Sequence, residues 1–295
     1  MILAPLRGVT IRCFRETFAD EIRAAGFTEA ITPFIAAISG FDPLKDRELI
    51  HHCSTFNLQP STFRLTPQFI GKDPDALRVC LEKVKAAGYD TADLNCGCPY
   101  PMVRNKGRGS GILRTPDVLR QMLEVGCDVM GPGKFSIKAR LGVDRNDELL
   151  KLMPMINEFP LRFLTVHART ARQMYTGVCD SGGLEEVWKV AKVPIVFNGD
   201  IPFPVPPNFP NIPNLPNVHL MIGRSFIRYL GTREDSGGLL GRYIAASQAE
   251  LCGDRPVLGR MKELIAYWKD LPNWKRRWNV IKLCRSVDEL KSCLV

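Results

Sequence analysis

Polar and cationic side chains stand at the ends of several short apolar segments in this chain. Six consecutive segments end in this way, and core packing alone seldom requires so regular a placement. The pattern therefore indicates one site assembled from many segment ends. The side chains concerned are Gln68, Asn95, Lys138, Arg140, His167, Arg169, Asn198, Asp200 and Arg224.

The elements that must position these side chains are eight predicted strands, with amphipathic helices between most of them. In DPDALRVCLEKVKAAG, apolar residues recur at helical spacing, Asp73 or Asp75 can cap the start, and Gly88 ends the helix. Repeated β–α units of this kind predict an α/β fold, a (β/α)8 TIM barrel. An open sheet would usually carry a glycine-rich phosphate loop after its first strand, where this chain has APLRGVT. The predicted strands are Ile2–Leu6, Ala30–Ile35, Pro67–Ile70, Thr91–Asn95, Lys134–Arg140, Arg162–His167, Pro194–Asn198 and Val218–Ile222.

Glycines at the ends of the last two predicted strands indicate a phosphate site. Asn198, Gly199 and Asp200 follow one strand, and Gly223 and Arg224 follow the other. Many barrels bind phosphate at this position through glycine N–H groups and a helix N-terminus. We therefore expect a phosphate-bearing cofactor whose ring lies over the barrel mouth. The side chains expected near that ring are Gln68, Asn95, Lys138 and His167.

Two stretches depart from the regular β–α pattern. Residues 202–216 contain too many prolines for a helix, which predicts an extended connection in place of one barrel helix. From about residue 232 the sequence becomes helical and basic. We therefore expect a barrel over residues 1–230 and a small C-terminal helical domain over residues 231–295.

Composition limits the class of protein. Hydrophobic residues make up 45% and charged residues 24% of the chain, which is typical of a globular protein. No apolar run is long enough to cross a bilayer, and the N-terminus lacks a secretory signal, so we expect a cytoplasmic protein without a membrane partner. The cysteines form no pair of CxxC motifs, which argues against a zinc site and predicts no bound metal. The net charge of +9 favours a polyanionic partner but is also compatible with simple solubility.

Several motifs occur in an order and spacing that resemble the tRNA-dihydrouridine synthase family over essentially the whole chain. They are APLRGVT, QFIG, DLNCGCPYPMV, IKARLG, VHARTARQMYTG, FNGDI and MIGR. The ITPF segment, DLNCGCP and the GRMKELIAYWK tail are most similar to the bacterial DusC branch. The chain departs from the family pattern at Ile11, at DSGG and in the proline-rich stretch.

The resemblance implies an FMN enzyme that uses NADPH to reduce a uridine of tRNA, with the D-loop and its position 16 as the implied target. In such enzymes the reduced flavin delivers hydride from N5 to C6 of uracil, and C5 then needs a proton. A thiol with a pKa of about 8.5 is mostly protonated at neutral pH and can donate it. By motif match this donor is Cys98, whereas Cys96 is expected to be structural.

The resemblance also assigns roles around the flavin. Lys138 is expected beside the N1–C2 carbonyl region, where it would stabilise the negative charge of the reduced ring. His167 is expected against the ring or its phosphate side, and Gln68 and Asn95 at the flavin edge and ribityl chain. The backbone of Ala4, Pro5 and Leu6 is expected under the ring.

The target base must leave the stacked RNA before it can be reduced, so the protein needs contacts that hold the RNA backbone. The candidates for these RNA contacts are Arg140, Arg169, Tyr175, Lys275, Arg276 and Arg277. Arg140 and Arg169 could equally contact the phosphate, and Tyr175 and Tyr100 could equally be packing residues. A monomer is the default state for the family. His51, His52 and His219 fit no site and are expected to be surface or structural residues.

Two other functions remain open at this point. A flavin enzyme similar to dihydroorotate dehydrogenase would act on a small free pyrimidine, and the positive charge and the basic tail argue against it. A catalytically silent RNA-binding barrel would have no need of a thiol acid beside a lysine and a histidine.

Overall fold

The computed structural model describes residues 1–49, 63–207 and 219–294. Its strands form one ten-stranded parallel sheet that closes on itself. At one edge β2 (Glu29–Ile31) pairs with β4 (Arg64–Thr66), and at the other edge β3 (Ile35–Ala36) pairs with β5 (Gln68–Ile70). The segments β2 and β3 belong to one barrel strand, and β4 and β5 belong to the next. The fold is therefore the predicted TIM barrel. The strands are β1 Ile2–Leu3, β2 Glu29–Ile31, β3 Ile35–Ala36, β4 Arg64–Thr66, β5 Gln68–Ile70, β6 Ala92–Cys96, β7 Phe135–Gly142, β8 Leu164–Thr170, β9 Ile195–Asn198 and β10 His219–Ile222.

The second and third barrel strands are interrupted, whereas the second was predicted to be continuous over Ala30–Ile35 and the third to begin only at Pro67. Pro33 and Pro67 lie in the interruptions, and proline has no N–H to donate to a ladder. The neighbouring groups bridge the gap: the Thr32 N–H donates to the Thr66 carbonyl at 3.0 Å, and the Thr32 hydroxyl accepts from the Gln68 N–H at 3.0 Å. The barrel wall therefore stays closed. Gln68 lies at the beginning of β5, whereas it was expected at the end of a strand.

The barrel helices follow the expected chemistry at their ends. Asp73, rather than Asp75, caps α3 by accepting from two backbone N–H groups, and Pro116 opens α5. Gly88, at φ +91°, follows the end of α3. Short 3₁₀ turns occupy Pro43–Lys45 and Gly109–Arg114. The helices up to β10 are α1 Arg12–Thr17, α2 Ala19–Ala24, α3 Pro74–Ala86, α4 Pro101–Arg104, α5 Pro116–Met130, α6 Glu148–Ile156 and α7 Ser181–Val190.

Five further helices follow β10 and pack against the barrel. The indole N–H groups of Trp268 and Trp274 donate to the carbonyls of Ile227 and Gly231, at 2.7 and 3.0 Å. Both tryptophans are fully buried, and they belong to the same hydrophobic cluster as the barrel residues. The helices are α8 Arg224–Thr232, α9 Ser236–Glu250, α10 Asp254–Ile265, α11 Pro272–Ile281 and α12 Val287–Ser292.

The proline-rich connection after β9 lies partly within the described residues. Through residue 207 the chain forms no helix there, and Phe203 packs its ring against Phe27 and Phe226 at 5.9 and 5.3 Å. The rest of the predicted extended stretch, like His51 and His52, lies outside the described residues. His219 begins β10 and is exposed. Among the helices of the described residues, none is long and apolar enough to cross a membrane.

Candidate active site at the barrel mouth

Cys98 lies in the loop that leaves β6, where it is 7% exposed. Its backbone is anchored from both sides: the Cys98 N–H donates to Asn95 Oδ1 at 2.8 Å, and its carbonyl accepts from the hydroxyl of Ser110 at 2.8 Å. Burial raises the pKa of the thiol, although the Tyr100 amide and the guanidinium groups of Arg140 and Arg7 act in the opposite direction. The thiol is therefore held in its protonated form at neutral pH.

A chain of buried hydrogen bonds leads from the barrel interior to this loop. Asp93 accepts from Ser136 Oγ at 2.6 Å and from Gln68 Nε2 at 2.7 Å. Gln68 Oε1 then accepts from Asn95 Nδ2 at 2.8 Å, which turns Asn95 Oδ1 toward the loop that carries Cys98. A carboxylate can only accept, so Asp93 fixes the direction of both amides. Burial raises the pKa of Asp93 to about 6.

Lys138 lies on β7, in register with Asn95 on β6. Its ammonium donates to Asn198 Oδ1 at 2.8 Å, and Asn198 Nδ2 in turn donates to the Met221 carbonyl at 2.8 Å. Burial, together with the charge of nearby Arg140, lowers the pKa of Lys138 to about 7. An ammonium has three donors and this one has a single acceptor among the described residues, so the site has room for an acceptor-rich ligand.

The ends of β8, β9 and β10 form a second polar group. Arg169 donates to Cys179 Sγ at 3.0 Å and pairs with Asp200, which also pairs with Arg224 at 3.1 Å. His167 Nε2 lies 3.2 Å from Arg169 Nη1 and must accept there, since a guanidinium only donates. Burial, followed by the surrounding cations, lowers the pKa of His167 well below its usual value, so the ring is neutral.

Glycines allow the chain to pack closely in this second group. Gly199 has φ +112°, and a Cβ there would lie 2.6 Å from Cys179 Sγ and 2.8 Å from His167 Cδ2. A Cβ on Gly223 would lie 3.1 Å from the Cβ of Ala4, where the first and last strands meet. Gly223 also precedes α8, whose first N–H groups have no acceptor within the helix. Glycine N–H groups beside a helix N-terminus are the kind of arrangement that binds phosphate in many proteins.

The predicted cofactor residues thus lie together at the mouth, and their free groups fit a flavin nucleotide. Gln68 and Asn95 each keep one amide N–H after the bonds described above, and Lys138 keeps two donors. The backbone of Ala4 and Leu6 is held by Thr10, whose hydroxyl accepts from the Leu6 N–H at 2.7 Å and donates to the Ala4 carbonyl at 2.9 Å. Pro5 lies between them in the same segment. Among the described residues, no three His, Cys, Asp or Glu side chains group as metal ligands.

The surroundings of Arg140 are neither RNA-facing nor phosphate-facing, the two positions expected for it. It is 2% exposed, and its guanidinium donates to the carbonyls of Gly97, Thr170 and Met174 at 2.9, 2.9 and 2.6 Å. These bonds tie the Cys98 loop to the loop after β8. Arg169 is also 2% exposed and pairs with Asp200. Tyr175 is 41% exposed, with the Arg140 and Arg224 guanidinium carbons each 5.3 Å from its ring centre.

The three basic residues of α11 lie away from this group. Trp274 docks beside Gly231, near the far end of α8, and α8 runs about 13 Å from its start at the mouth. Lys275 and Arg276 are exposed, and the Arg277 guanidinium carbon lies 5.7 Å from the Trp274 ring centre.

Sequence reasoning missed Asp93, Ser136, Cys179 and Glu263. Asp93 and Ser136 lie two residues before Asn95 and Lys138, so strand alternation could have placed them on the same inner face. Glu263 reaches the mouth from α10, where its carboxylate occupies the space that a Cβ on Gly8 would need. No local signal connects a residue so distant in sequence with Gly8.

Comparison with known proteins agrees with the motifs. The family model described as "Dihydrouridine synthase (Dus)" matches residues 2–206. The chain is 26% identical to tRNA-dihydrouridine synthase B of Vibrio vulnificus (strain CMCP6) over 76% of this chain and 66% of that protein. It is 28% identical to tRNA-dihydrouridine(16) synthase of Salmonella typhimurium (strain LT2) over 68% of this chain and 64% of that protein. The matches therefore span just under two thirds of these relatives.

Solved structures of low sequence identity share the fold. Morphinone reductase in complex with tetrahydroNAD superposes with a TM-score of 0.52 at 11% identity, over 77% of this chain and 83% of that one. The old yellow enzyme homologue from Zymomonas mobilis gives a TM-score of 0.53 at 13% identity, over 77% and 85% of the two chains. These structural similarities show the barrel fold and nothing about function. Since the family match covers well over half of the sequence, this chain belongs to the dihydrouridine synthase family.

Proposed function

We propose that this protein reduces a uridine of tRNA to 5,6-dihydrouridine, with FMN as its cofactor and NADPH as its reductant. The observation that carries the proposal is a protonated thiol, Cys98, at a barrel mouth lined with unsatisfied donors. The names of the relatives support the substrate. A D-loop uridine is the proposed target, and position 16 is the first candidate, because the C-terminal tail resembles that branch and the Salmonella relative bears that number.

FMN, when bound, supplies the hydride for C6 of the uracil ring. The residues proposed to hold it are Ala4, Pro5, Leu6, Gln68, Asn95, Lys138, His167, Asn198, Gly199, Asp200, Gly223 and Arg224. The Lys138 ammonium offers positive charge and two free donors at the ring edge. Arg169 and Arg224 can turn from Asp200 to a phosphate, which accepts from guanidinium groups in the same way.

Cys98 donates the proton that C5 of the uracil requires. Its raised pKa keeps the proton on Sγ until the base accepts it. After transfer, the thiolate is stabilised by Arg140 and Arg7, the two cations that act to lower its pKa. Arg140 is held by three carbonyls, so it supports this charge without moving.

Tyr175 is the residue that we assign to contact with the extruded base. Its ring is partly exposed beside Arg140, which itself contacts the Cys98 loop. A flipped base is commonly held by an aromatic face, so we assign stacking to Tyr175. Lys275, Arg276 and Arg277 remain proposed contacts to a more distant part of the RNA, and a monomer in the cytoplasm stays a prediction.

Replacing Cys98 tests the proposal. The Cys98→Ala variant should keep its bound flavin, visible in the absorbance spectrum, and should reduce tRNA about 100-fold or more slowly, since the general acid is lost. Cys96→Ala is the matched control, because Cys96 is a fully buried thiol on β6, two residues away. This control should turn over like the wild type. Normal turnover by Cys98→Ala would remove Cys98 from the mechanism.

A further inference from the structure

Four cations form a cluster on the barrel rim beside the active-site loop. We call Lys72, Arg104, Lys106 and Arg108 the rim cation cluster. Lys72 follows β5, and the other three lie at the end of α4 and just after it. The two loops touch, because a Cβ on Gly107 would lie 3.4 Å from Lys72 Cδ and 3.9 Å from its ammonium nitrogen. The cluster therefore spans two neighbouring loops of the mouth.

The rim cation cluster is attached directly to the Cys98 loop. The N–H and the hydroxyl of Ser110 donate to the Cys98 carbonyl at 3.1 and 2.8 Å. Gly109 has φ +57°, and a Cβ there would lie 2.7 Å from the Cβ of Cys98. Only Gly109 therefore separates Arg108 from Ser110, the residue that holds the Cys98 carbonyl. An anion bound by the cluster would lie at the side of the active site.

No carboxylate neutralises the rim cation cluster. Within the described ranges, none of its four members has an acidic partner within 4.0 Å, and residues 50–62 and 208–218 contain no Asp or Glu. Other cations of the mouth loops are paired: Arg114 and Arg172 share Asp144, and Arg145 pairs with Asp147. The rim cation cluster therefore differs from these ion-paired residues of the neighbouring loops.

Both arginines of the rim cation cluster also carry a buried donor that has no acceptor within the described part of the chain. The Nε atoms of Arg104 and Arg108 are shielded from solvent and have no hydrogen-bond partner among the described residues. A buried donor without an acceptor is unfavourable, so a movement of these side chains that brings them to an external acceptor would remove this penalty. Phosphate oxygens are the acceptors that guanidinium groups bind best.

We propose that the rim cation cluster binds the phosphate backbone of tRNA next to the uridine that is reduced. This inference rests on the proposed function. Cations spread over two loops suit a row of phosphates better than a single one. Tyr100 and Met102, in the same segment, are 49% and 84% exposed and can contact a neighbouring base. The protein thus holds the strand at the point where the base must leave its stack.

Binding of an unmodified, fluorescently labelled tRNA to the flavin-loaded protein tests this surface. The triple variant R104Q/K106Q/R108Q should bind about tenfold or more weakly near physiological salt, and the slope of log Kd against log salt should fall by about 2 to 3. The control R78Q/R120Q/K189Q removes the same charge from ion-paired residues of the outer helices and should bind like the wild type. Thermal unfolding and flavin content verify that each variant is folded.

A second variant covers the case in which the triple variant does not fold. K72Q/K106Q changes only exposed side chains and should reduce the slope by about 1 to 2. If the wild type binds tRNA and both cluster variants bind like the control, the proposed surface is wrong while the proposed function stands. If the variants change only the KM for NADPH, the cluster binds the dinucleotide and the RNA assignment is overturned. A wild type that binds no tRNA overturns the proposed function together with this surface.

Discussion

Asp93 is a buried carboxylate that never reaches the reacting atoms, yet the direction of two amides depends on it. It orients Gln68, Gln68 orients Asn95, and Asn95 receives the N–H groups of Gly97 and Cys98 at 3.1 and 2.8 Å. An asparagine in place of Asp93 could donate as well as accept, which would allow both amides to turn over. The loop would then face an NH₂ group where it now has an oxygen.

The Asp93→Asn variant should therefore expose the Cys98 thiol. We expect iodoacetamide to label Cys98 several-fold faster than in the wild type at pH 8, measured by peptide mass spectrometry, with exposed Cys252 as the internal reference. Ser136→Ala is the matched control, because it removes one donor from the same carboxylate and leaves Gln68 oriented. Equal labelling of Cys98 in the two variants would show that Asp93 does not position the loop. The measurement needs neither cofactor nor RNA.

Among the elements, β2 and the start of β8 are joined at the base of the barrel by a buried ion pair. Arg162 donates to both carboxylate oxygens of Glu29 at 2.6 Å, and the Thr66 hydroxyl donates to the same carboxylate at 2.7 Å. The side chains of Glu29 and Arg162 are 5% and 16% exposed. Removal of one partner leaves a buried charge without compensation.

We expect Arg162→Met to lower the free energy of unfolding by about 3–5 kcal/mol, measured by chemical denaturation. The double variant Glu29→Met with Arg162→Met should recover much of this loss, because no charge then stays buried. Arg120→Met provides the control, since Arg120 makes the same two-bond pair with Glu158 on the exposed surface, where such pairs contribute about 0–1 kcal/mol. A similar loss of unfolding free energy for Arg162→Met and Arg120→Met would show that the buried ion pair at the base of the barrel is no more important than an exposed one.

The elements also show what the sequence could and could not predict. The succession of strands and helices, a cap at Asp73 or Asp75 and the helix start at Pro116 follow from local rules, and the structure has the cap at Asp73 and the helix start at Pro116. The interruptions at Pro33 and Pro67 were not predicted, since a closed barrel can bridge such gaps through Thr32. The surroundings of Arg140 were not predicted either, because its partners are carbonyls of two separate loops. Residue type reveals a side chain's chemistry, whereas its partners depend on tertiary packing.

At the scale of the whole molecule, charge and packing connect the barrel with the C-terminal helices. Glu263 of α10 packs against Gly8, and Arg7 acts against the burial that raises the pKa of this carboxyl. The helices after β10 therefore contribute to the mouth and also carry the basic face of α11. The net charge of +9 includes the unpaired rim cation cluster near Cys98 and the residues Lys275 and Arg276 at a distance. A folded tRNA is large enough to contact both surfaces at once.

The central claim is that this chain reduces uridine in tRNA, and mass-spectrometric mapping of dihydrouridine tests it most directly. Unmodified tRNA is incubated with the purified, flavin-loaded protein and NADPH, then digested and sequenced by mass. The account predicts a gain of two hydrogens at one D-loop uridine. If no dihydrouridine forms although NADPH reduces the bound flavin, the result contradicts the account and favours an oxidoreductase of small pyrimidines. If the protein retains no flavin at all, a silent RNA-binding barrel becomes the better description.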